Sequence, residues 1–233
     1  LASIDDAFSM NDDFGATTVR MIRDIVFDLG NVLLPVNRLG AFKRLIPYLP
    51  GDRAHLLRAE PQAFERLFDG PVAELETGRI TFDLFQRRVE ELLGTQIDAG
   101  EFQSIWCDMF SLDEEMARFG KALSTRYRTW LASNTSETHY RYILDRFPQV
   151  SFYRAAALSY ELGVMKPAKA YFEKALAQFG IKPKSAVFID DLEVNVRAAI
   201  EVGLRGIVFR GYPDLLAELT KLGVKSWDAG DGE

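Results

Sequence analysis

The sequence predicts an α/β protein: a parallel sheet with helices on both faces and an inserted α-helical segment. Three observations carry this. Short β-rich apolar runs recur along the chain, most are followed by helical patterns, and one long stretch holds helical patterns with no strand between them. Apolar runs of this length suit strands buried on both faces, as a parallel sheet requires. Their alternation with helices implies right-handed crossovers.

Taken in order, the first run is Ile25–Phe27, within DIVFDLGNVLLPVN. It ends at a carboxylate, Asp28, and a Gly-Asn turn follows. From Leu39 to Phe110 no buried strand is predicted. Amphipathic stretches fill the interval instead: AFKRLIPYL, AHLLRAE, PQAFERLFD, TFDLFQRRVEELLG and EFQSIWCDMF. Ser111 with Glu114 gives a capping-box signature for the next helix. The second run is Thr129–Ala132, and its SNTS continuation suits a cap for a helix starting near Glu137. The third is Ala155–Ser159, followed by a helix that Pro167 opens and Gly180 closes. The fourth and fifth are Ala186–Ile189 and Gly206–Phe209. A last helix runs between Pro213 and Gly223.

Composition narrows the function. The chain of 233 residues suits one large domain, or a core carrying a smaller insert. A net charge of -6 argues against a nucleic-acid binder, because phosphate tracking needs basic surface. A single cysteine, Cys107, allows no internal disulfide and suits a reducing compartment. No apolar run approaches the roughly 18 residues of a membrane span. Residues 1–20 lack the basic-then-apolar order of a signal peptide and read as an extension ahead of the domain, with Met10 and Met21 as alternative start codons. The expectation is a cytoplasmic protein, monomer or homodimer, with a small-molecule substrate and neither nucleic-acid nor membrane partner.

Every chemically interesting residue falls where a strand ends. Asp28 follows the first run, Ser133-Asn134-Thr135 the second, Lys166 comes shortly after the third, and Asp190-Asp191 follow the fourth. In an open parallel sheet these ends share one edge, where ligands bind. Singly, each has a plainer reading: Asp28 as an acceptor for turn amides, SNTS and Asp190-Asp191 as helix caps, Lys166 as a loop residue. Together they make a coherent phosphate site. A carboxylate attacking phosphorus needs a cation such as Mg²⁺ beside it. Two adjacent acids repel unless compensated, and a lysine, a hydroxyl and helix-start amides suit phosphoryl oxygens.

The ordered set FDLGN, SNT, MKP and FIDD resembles the four motifs of the haloacid dehalogenase-like (HAD) hydrolases, over about Ile22 to Phe209. The resemblance implies a Rossmann-like core at 21–38 and 111–233, with 39–110 as a mobile helical cap. It implies Asp28 as a nucleophile forming an aspartyl-phosphate. The Gly30 carbonyl, Asp28 and Asp190 would hold Mg²⁺ with Asp191 in support. Ser133 and Asn134 would hold phosphate, Lys166 would stabilise Asp28 and the phosphoryl group, and Asn195 would lie just behind.

Gly30 departs from the pattern. The family's phosphatases usually carry a second aspartate there, which protonates the leaving group and then activates water. A DLGNV-type branch resembling this chain, bacterial sugar-phosphate phosphatases among it, has the same glycine. His139 is a conceivable substitute acid, although its spacing reads as helix surface. Three readings follow: a Mg²⁺-dependent phosphatase of a small phosphorylated metabolite, a 2-haloacid dehalogenase, and a non-catalytic phosphate-binding protein. The FIDD pair counts against the second, since dehalogenases of this family use no Mg²⁺, and the intact motifs count against the third. A two-component receiver domain is excluded by the order of its acids and the insert. In the cap, the turn ELETGRIT offers Glu76, Arg79 and Thr81 to a pocket, with Arg79 suited to an anionic or hydroxylated group. The plainer reading makes the turn a connector with Thr81 as a helix cap. Trp106 and Phe110 read as cap–core packing.

Overall fold

The computed structural model describes residues 21–225; the 1–20 extension therefore lies outside the described residues. Strand β1 (Asp24–Phe27) is followed by six helices: α1 (Arg38–Lys43), α2 (Gly51–Ala59), α3 (Pro61–Arg66), α4 (Asp69–Glu76), α5 (Phe82–Leu93) and α6 (Ala99–Cys107). Then come α7 (Glu114–Ser124), β2 (Arg128–Ser133), α8 (Glu137–Arg146), β3 (Ala156–Leu158), α9 (Ser159–Leu162) and α10 (Lys169–Phe179). The chain continues through β4 (Ala186–Asp190), α11 (Glu193–Glu201), β5 (Arg205–Val208) and α12 (Tyr212–Lys221).

The five strands form one sheet in the order β3-β2-β1-β4-β5, and all four pairings are parallel. Successive residues of β1 face opposite layers. Ile25 and Phe27 join Leu131, Ile189, Met116, Ile143 and Leu215 on one side. Val26 joins Trp130, Phe188, Tyr171 and Phe172 on the other. Both faces are therefore buried, which is why the strands read as continuous apolar runs. Helix α7 lies very close to the first layer at Gly120, where a Cβ would stand 2.1 Å from Phe152 Cζ. The order reverses between β1 and β4, and such a reversal opens a crevice beyond the strands' carboxyl ends.

Two predicted helix starts are corrected. The N-cap of α7 is Asp113, whose Oδ1 accepts from Met116 N–H at 3.0 Å; Ser111 is still extended, its N–H bonded to Pro35 O at 3.1 Å. Helix α10 begins at Lys169, two residues after Pro167, because the Asn134 side chain holds Lys166 in the preceding loop through both backbone groups. Thr81 and Ser136 cap α5 and α8 by accepting from Leu84 and His139 N–H, and Gly180 ends α10 in the left-handed region.

Helices α1 to α6 enclose an apolar cluster of their own, built from Phe42, Phe64, Phe68, Phe85, Phe102 and Trp106. The segment leaves and rejoins the sheet unit at one place. Val36 and Phe110 form an antiparallel bridge, and Asn37 N–H donates to Met109 O at 2.7 Å. A second contact lies at Gly78, whose φ of +66° and position against Tyr160 leave no room for a side chain: a Cβ would be 2.4 Å from Tyr160 O. At the far end of the sheet, buried Asp24 accepts from Arg128 at 2.7 Å and Trp130 Nε1 at 2.9 Å, a structural pair that sequence reasoning did not single out.

Candidate active site

Asp28 leaves β1 at the reversal point, and one of its oxygens, Oδ1, accepts from Leu29 N–H at 2.7 Å and from Lys166 Nζ at 2.8 Å. Lys166 Nζ also donates to Asp190 Oδ2 at 2.7 Å and to Ala132 O at 2.9 Å, so all three of its hydrogens are used. Its side chain is only 1% exposed. Burying an ammonium is tolerable here because two carboxylates meet it, and their charges hold its pKa above the ordinary lysine value against the pull of burial.

Asp190 ends β4 and is fixed from behind. Its Oδ1 accepts from Leu192 N–H at 2.8 Å, and Asn195 Nδ2 donates to both oxygens at 3.0 and 3.1 Å. Asp191 accepts from Asn31 Nδ2 at 3.1 Å. Asn31 was not singled out in the sequence. It follows Gly30 with φ +54°, and its Oδ1 accepts from Val36 N–H at 3.0 Å. The signal was the GN pair itself, since asparagine tolerates the left-handed region better than most residues.

One oxygen each of Asp28, Asp190 and Asp191 lies within 4.8 Å of the others. Three hard oxygen donors so close suit a divalent cation such as Mg²⁺. Burial pushes the Asp28 carboxyl up to about 7, with Lys166 opposing and Asp190 adding to the rise. A bound cation would favour the ionised form.

Ser133 ends β2 at the same edge, its hydroxyl 3.4 Å from Asn134 O. Asn134 is placed differently from expectation. Its side chain bonds Lys166 N–H and O at 2.8 and 2.9 Å, so it positions the lysine loop while the residue also lines the cavity. His139 is also corrected: it is buried, not on the helix surface, and stacks on Trp106 with ring planes 11° apart. Its Nε2 lies 3.1 Å from Trp106 O, and Phe110 meets its ring edge-on. Burial lowers its pKa to about 4, leaving it neutral at pH 7 and a poor proton donor. The periodicity of α8 could not show this, because the covering surface comes from α6.

Above these residues lies a cavity of about 700 Å³, roofed by the α1–α6 segment. Asp28, Ser133, Lys166 and Asp191 form its floor; Arg38 and Glu76 line it from the segment. Arg79 does not. Gly78 seats the turn on Tyr160, and Arg79, one residue on, is exposed outside the lining. Arg38, which the sequence reading passed over, is the arginine of the cavity; its Nη1 bonds Glu65 Oε1 at 3.0 Å.

A Rossmann-like sheet with an acid–lysine–acid cluster at its reversal point and a helical segment inserted after the first strand defines a class. The chain belongs to the haloacid dehalogenase-like hydrolases, whose family pattern matches residues 22–203. It is an enzyme of the hydrolase class. It is 26% identical over 207 residues to a D-ribitol-5-phosphate phosphatase of Bacteroides thetaiotaomicron, covering 86% of this chain and 98% of that one. A HAD family enzyme of the same organism, in complex with magnesium and inorganic phosphate, superposes with a TM-score of 0.68 at 25% identity, over 80% of this chain and 93% of that one. An L-2-haloacid dehalogenase of Xanthobacter autotrophicus shares the fold alone, with a TM-score of 0.59 at 14% identity over 86% and 83% of the chains.

Proposed function

We propose that the protein is a Mg²⁺-dependent phosphatase that removes phosphate from a small metabolite, a sugar or alditol phosphate, through an aspartyl-phosphate on Asp28. The observation that carries this reading is the juxtaposition of Asp28, Lys166 and the Asp190–Asp191 pair beneath one cavity. Asp28, the Gly30 carbonyl and Asp190, with Asp191 in support, would hold the metal. Its chemistry there is to offset charge on the phosphoryl oxygens and keep Asp28 ionised.

Asp28 attacks phosphorus with the oxygen that Leu29 N–H and Lys166 do not restrain. Lys166, pinned by Ala132 O and Asp190, holds positive charge beside the nucleophile. The Ser133 hydroxyl and nearby amides receive the phosphoryl oxygens, a task that is mostly positioning and charge stabilisation. Asn195 fixes Asp190 so that its carboxylate does not turn away. The cavity has room for more than a phosphate group, which fits the phosphorylated polyol on which the Bacteroides relative acts. Residues 39–110 form the cap in this reading, and the cytoplasm is the compartment. Among the described residues no helix is long and apolar enough to cross a membrane.

The test is phosphate release from p-nitrophenyl phosphate and a panel of sugar and alditol phosphates, with Mg²⁺ or EDTA, by wild type and Asp28→Asn. Mg²⁺-dependent release that Asp28→Asn abolishes is expected. Full activity in Asp28→Asn, or metal-independent release, would refute the mechanism. Turnover of 2-haloacids with none of phosphate esters would assign the dehalogenase reading instead.

A further inference from the structure

Gly30 leaves the site without an acid next to the nucleophile, and the cavity holds a replacement on the opposite wall. We propose that Glu76, reaching the site from the end of α4, is the general acid–base of this enzyme. The inference rests on the phosphatase reading above and adds a catalytic residue to it.

The other groups in the cavity are committed. Asp28 is paired with Lys166, Asp191 with Asn31, and Glu65 with Arg38. His139 is spent on Trp106 O, and Asp69 is exposed at the first turn of α4. Glu76 is different: it lines the cavity, yet its side chain makes no hydrogen bond or ion pair to any described residue. Asp69, Val72 and Glu76 follow the i, i+3, i+7 pattern of one helix face, and all three border the cavity. Of the two acids on that face, Glu76 is the inner one, near enough to Lys166 for the lysine charge to act on it. Its position is also fixed: two residues on, Gly78 rests against the Tyr160 backbone of the sheet unit. The end of α4 is thus held against the sheet unit at α9.

Burial raises the Glu76 carboxyl above its ordinary value, against the opposing charges of Arg38 and then Lys166. The remaining acids that line the cavity from the inserted segment are Glu65, which is paired with Arg38, and the exposed Asp69. The rise moves Glu76 toward the protonated state from which a general acid starts. In the first step the Asp28–phosphorus bond forms and the phosphorus–oxygen ester bond breaks. The Glu76 proton passes to the leaving oxygen, which departs as an alcohol. In the second step water attacks the aspartyl-phosphate and gives a proton to the Glu76 carboxylate. The bond to Asp28 breaks, phosphate leaves, and both carboxyl groups return to their starting states.

A general acid matters for a poor leaving group and little for a good one, which gives a sharp test. The kcat/KM of Glu76→Gln would be measured on the best alkyl ester of the panel and on p-nitrophenyl phosphate, whose nitrophenolate leaves without a proton. The expected loss on the alkyl ester is roughly 10²–10⁴-fold, mostly in kcat, with less than about a tenth of that factor on p-nitrophenyl phosphate. Adding Gly30→Asp to the Glu76→Gln variant should restore much of the alkyl-ester rate. A Cβ at position 30 meets only Val36 Cγ2, at 3.3 Å, so an aspartate fits there with a small shift. Circular dichroism of both variants checks that they fold. Equal losses on the two esters, a change confined to KM, or no loss at all would overturn the assignment while leaving the phosphatase intact. Wild type inactive on both esters would overturn the phosphatase reading, and this inference with it.

Discussion

Replacing Lys166 by methionine tests the electrostatic logic of the site without reference to turnover. The side chain is buried, and three acceptors depend on it: Asp28 at 2.8 Å, Asp190 at 2.7 Å and Ala132 O at 2.9 Å. Methionine keeps most of the volume and removes the charge. Two carboxylates then face each other with oxygens within 4.8 Å. At an effective dielectric of 20, two unit charges at that distance repel by about 3.5 kcal/mol. That agrees with the roughly 3–5 kcal/mol lost when one partner of a buried ion pair is removed. Asp28 can relieve part of the repulsion by taking up a proton, since burial already pushes its carboxyl up to about 7. The lower end of the range is therefore expected. At roughly 2–4 °C per kcal/mol for a chain of this size, Tm in EDTA should fall by about 10 °C. Mg²⁺ brings positive charge back to the same carboxylates, so it should raise the Tm of Lys166→Met by several degrees more than that of wild type. Thermal unfolding of both proteins with EDTA and with saturating Mg²⁺ gives the four numbers required. Equal melting in EDTA, or equal gains from Mg²⁺, would refute the view that Lys166 and the cation neutralise one acidic cluster.

Two further outcomes follow from buried groups elsewhere. The His139 pKa is lowered by burial to about 4, with Arg38 adding to the fall, while an unfolded histidine titrates near 6.5. Below 6.5 the unfolded chain binds a proton that the folded one does not, so stability is complete above that value and falls toward pH 4, by about 3 kcal/mol. Urea unfolding at pH 7.5 and 4.5 should show a smaller acid loss for His139→Gln than for wild type, and identical losses would contradict the burial. Gly120→Ala forces a methyl onto the Phe152 ring. Overpacking of about 1–3 kcal/mol outweighs the gain of up to about 1 from helix propensity, so a net loss of about 1–2 is expected at pH 7. Adding Phe152→Leu should remove most of that loss, and no recovery would mean that the ring is not the obstacle.

The sheet and the edge that gathers the candidate residues were legible in the sequence because both depend on local signals. Each strand is a short apolar run, and the candidate residues lie at its end or, for Lys166, in the loop that follows. What stayed hidden depends on surfaces that other segments bring. His139 reads as an exposed position of α8 until Trp106 and Phe110 of the inserted segment cover it. Arg79 reads as a pocket residue until Gly78 is seen to lock its turn against Tyr160, which leaves Glu76 inside and Arg79 out. Asn134 reads as a ligand group, and its hold on both backbone groups of Lys166 shows only once the two loops meet. Asn31 was within reach, since a Gly-Asn pair directly after a strand marks a turn and asparagine tolerates the positive φ found there.

The paired ends of the inserted segment have a consequence for chain entropy. Pro35 and Ser111, like Asn37 and Met109, are joined by backbone hydrogen bonds across some seventy intervening residues. The sheet unit therefore sees the insert as one closed loop. The entropic cost of closing a flexible loop grows only as about (3/2)RT ln n, so doubling its length would add roughly 0.6 kcal/mol. A ribbon closed in this way lets the roof be lengthened, shortened or exchanged while the strands beneath keep their register. Changes of length in the insert can then accumulate without disturbing the turn that carries Asp28.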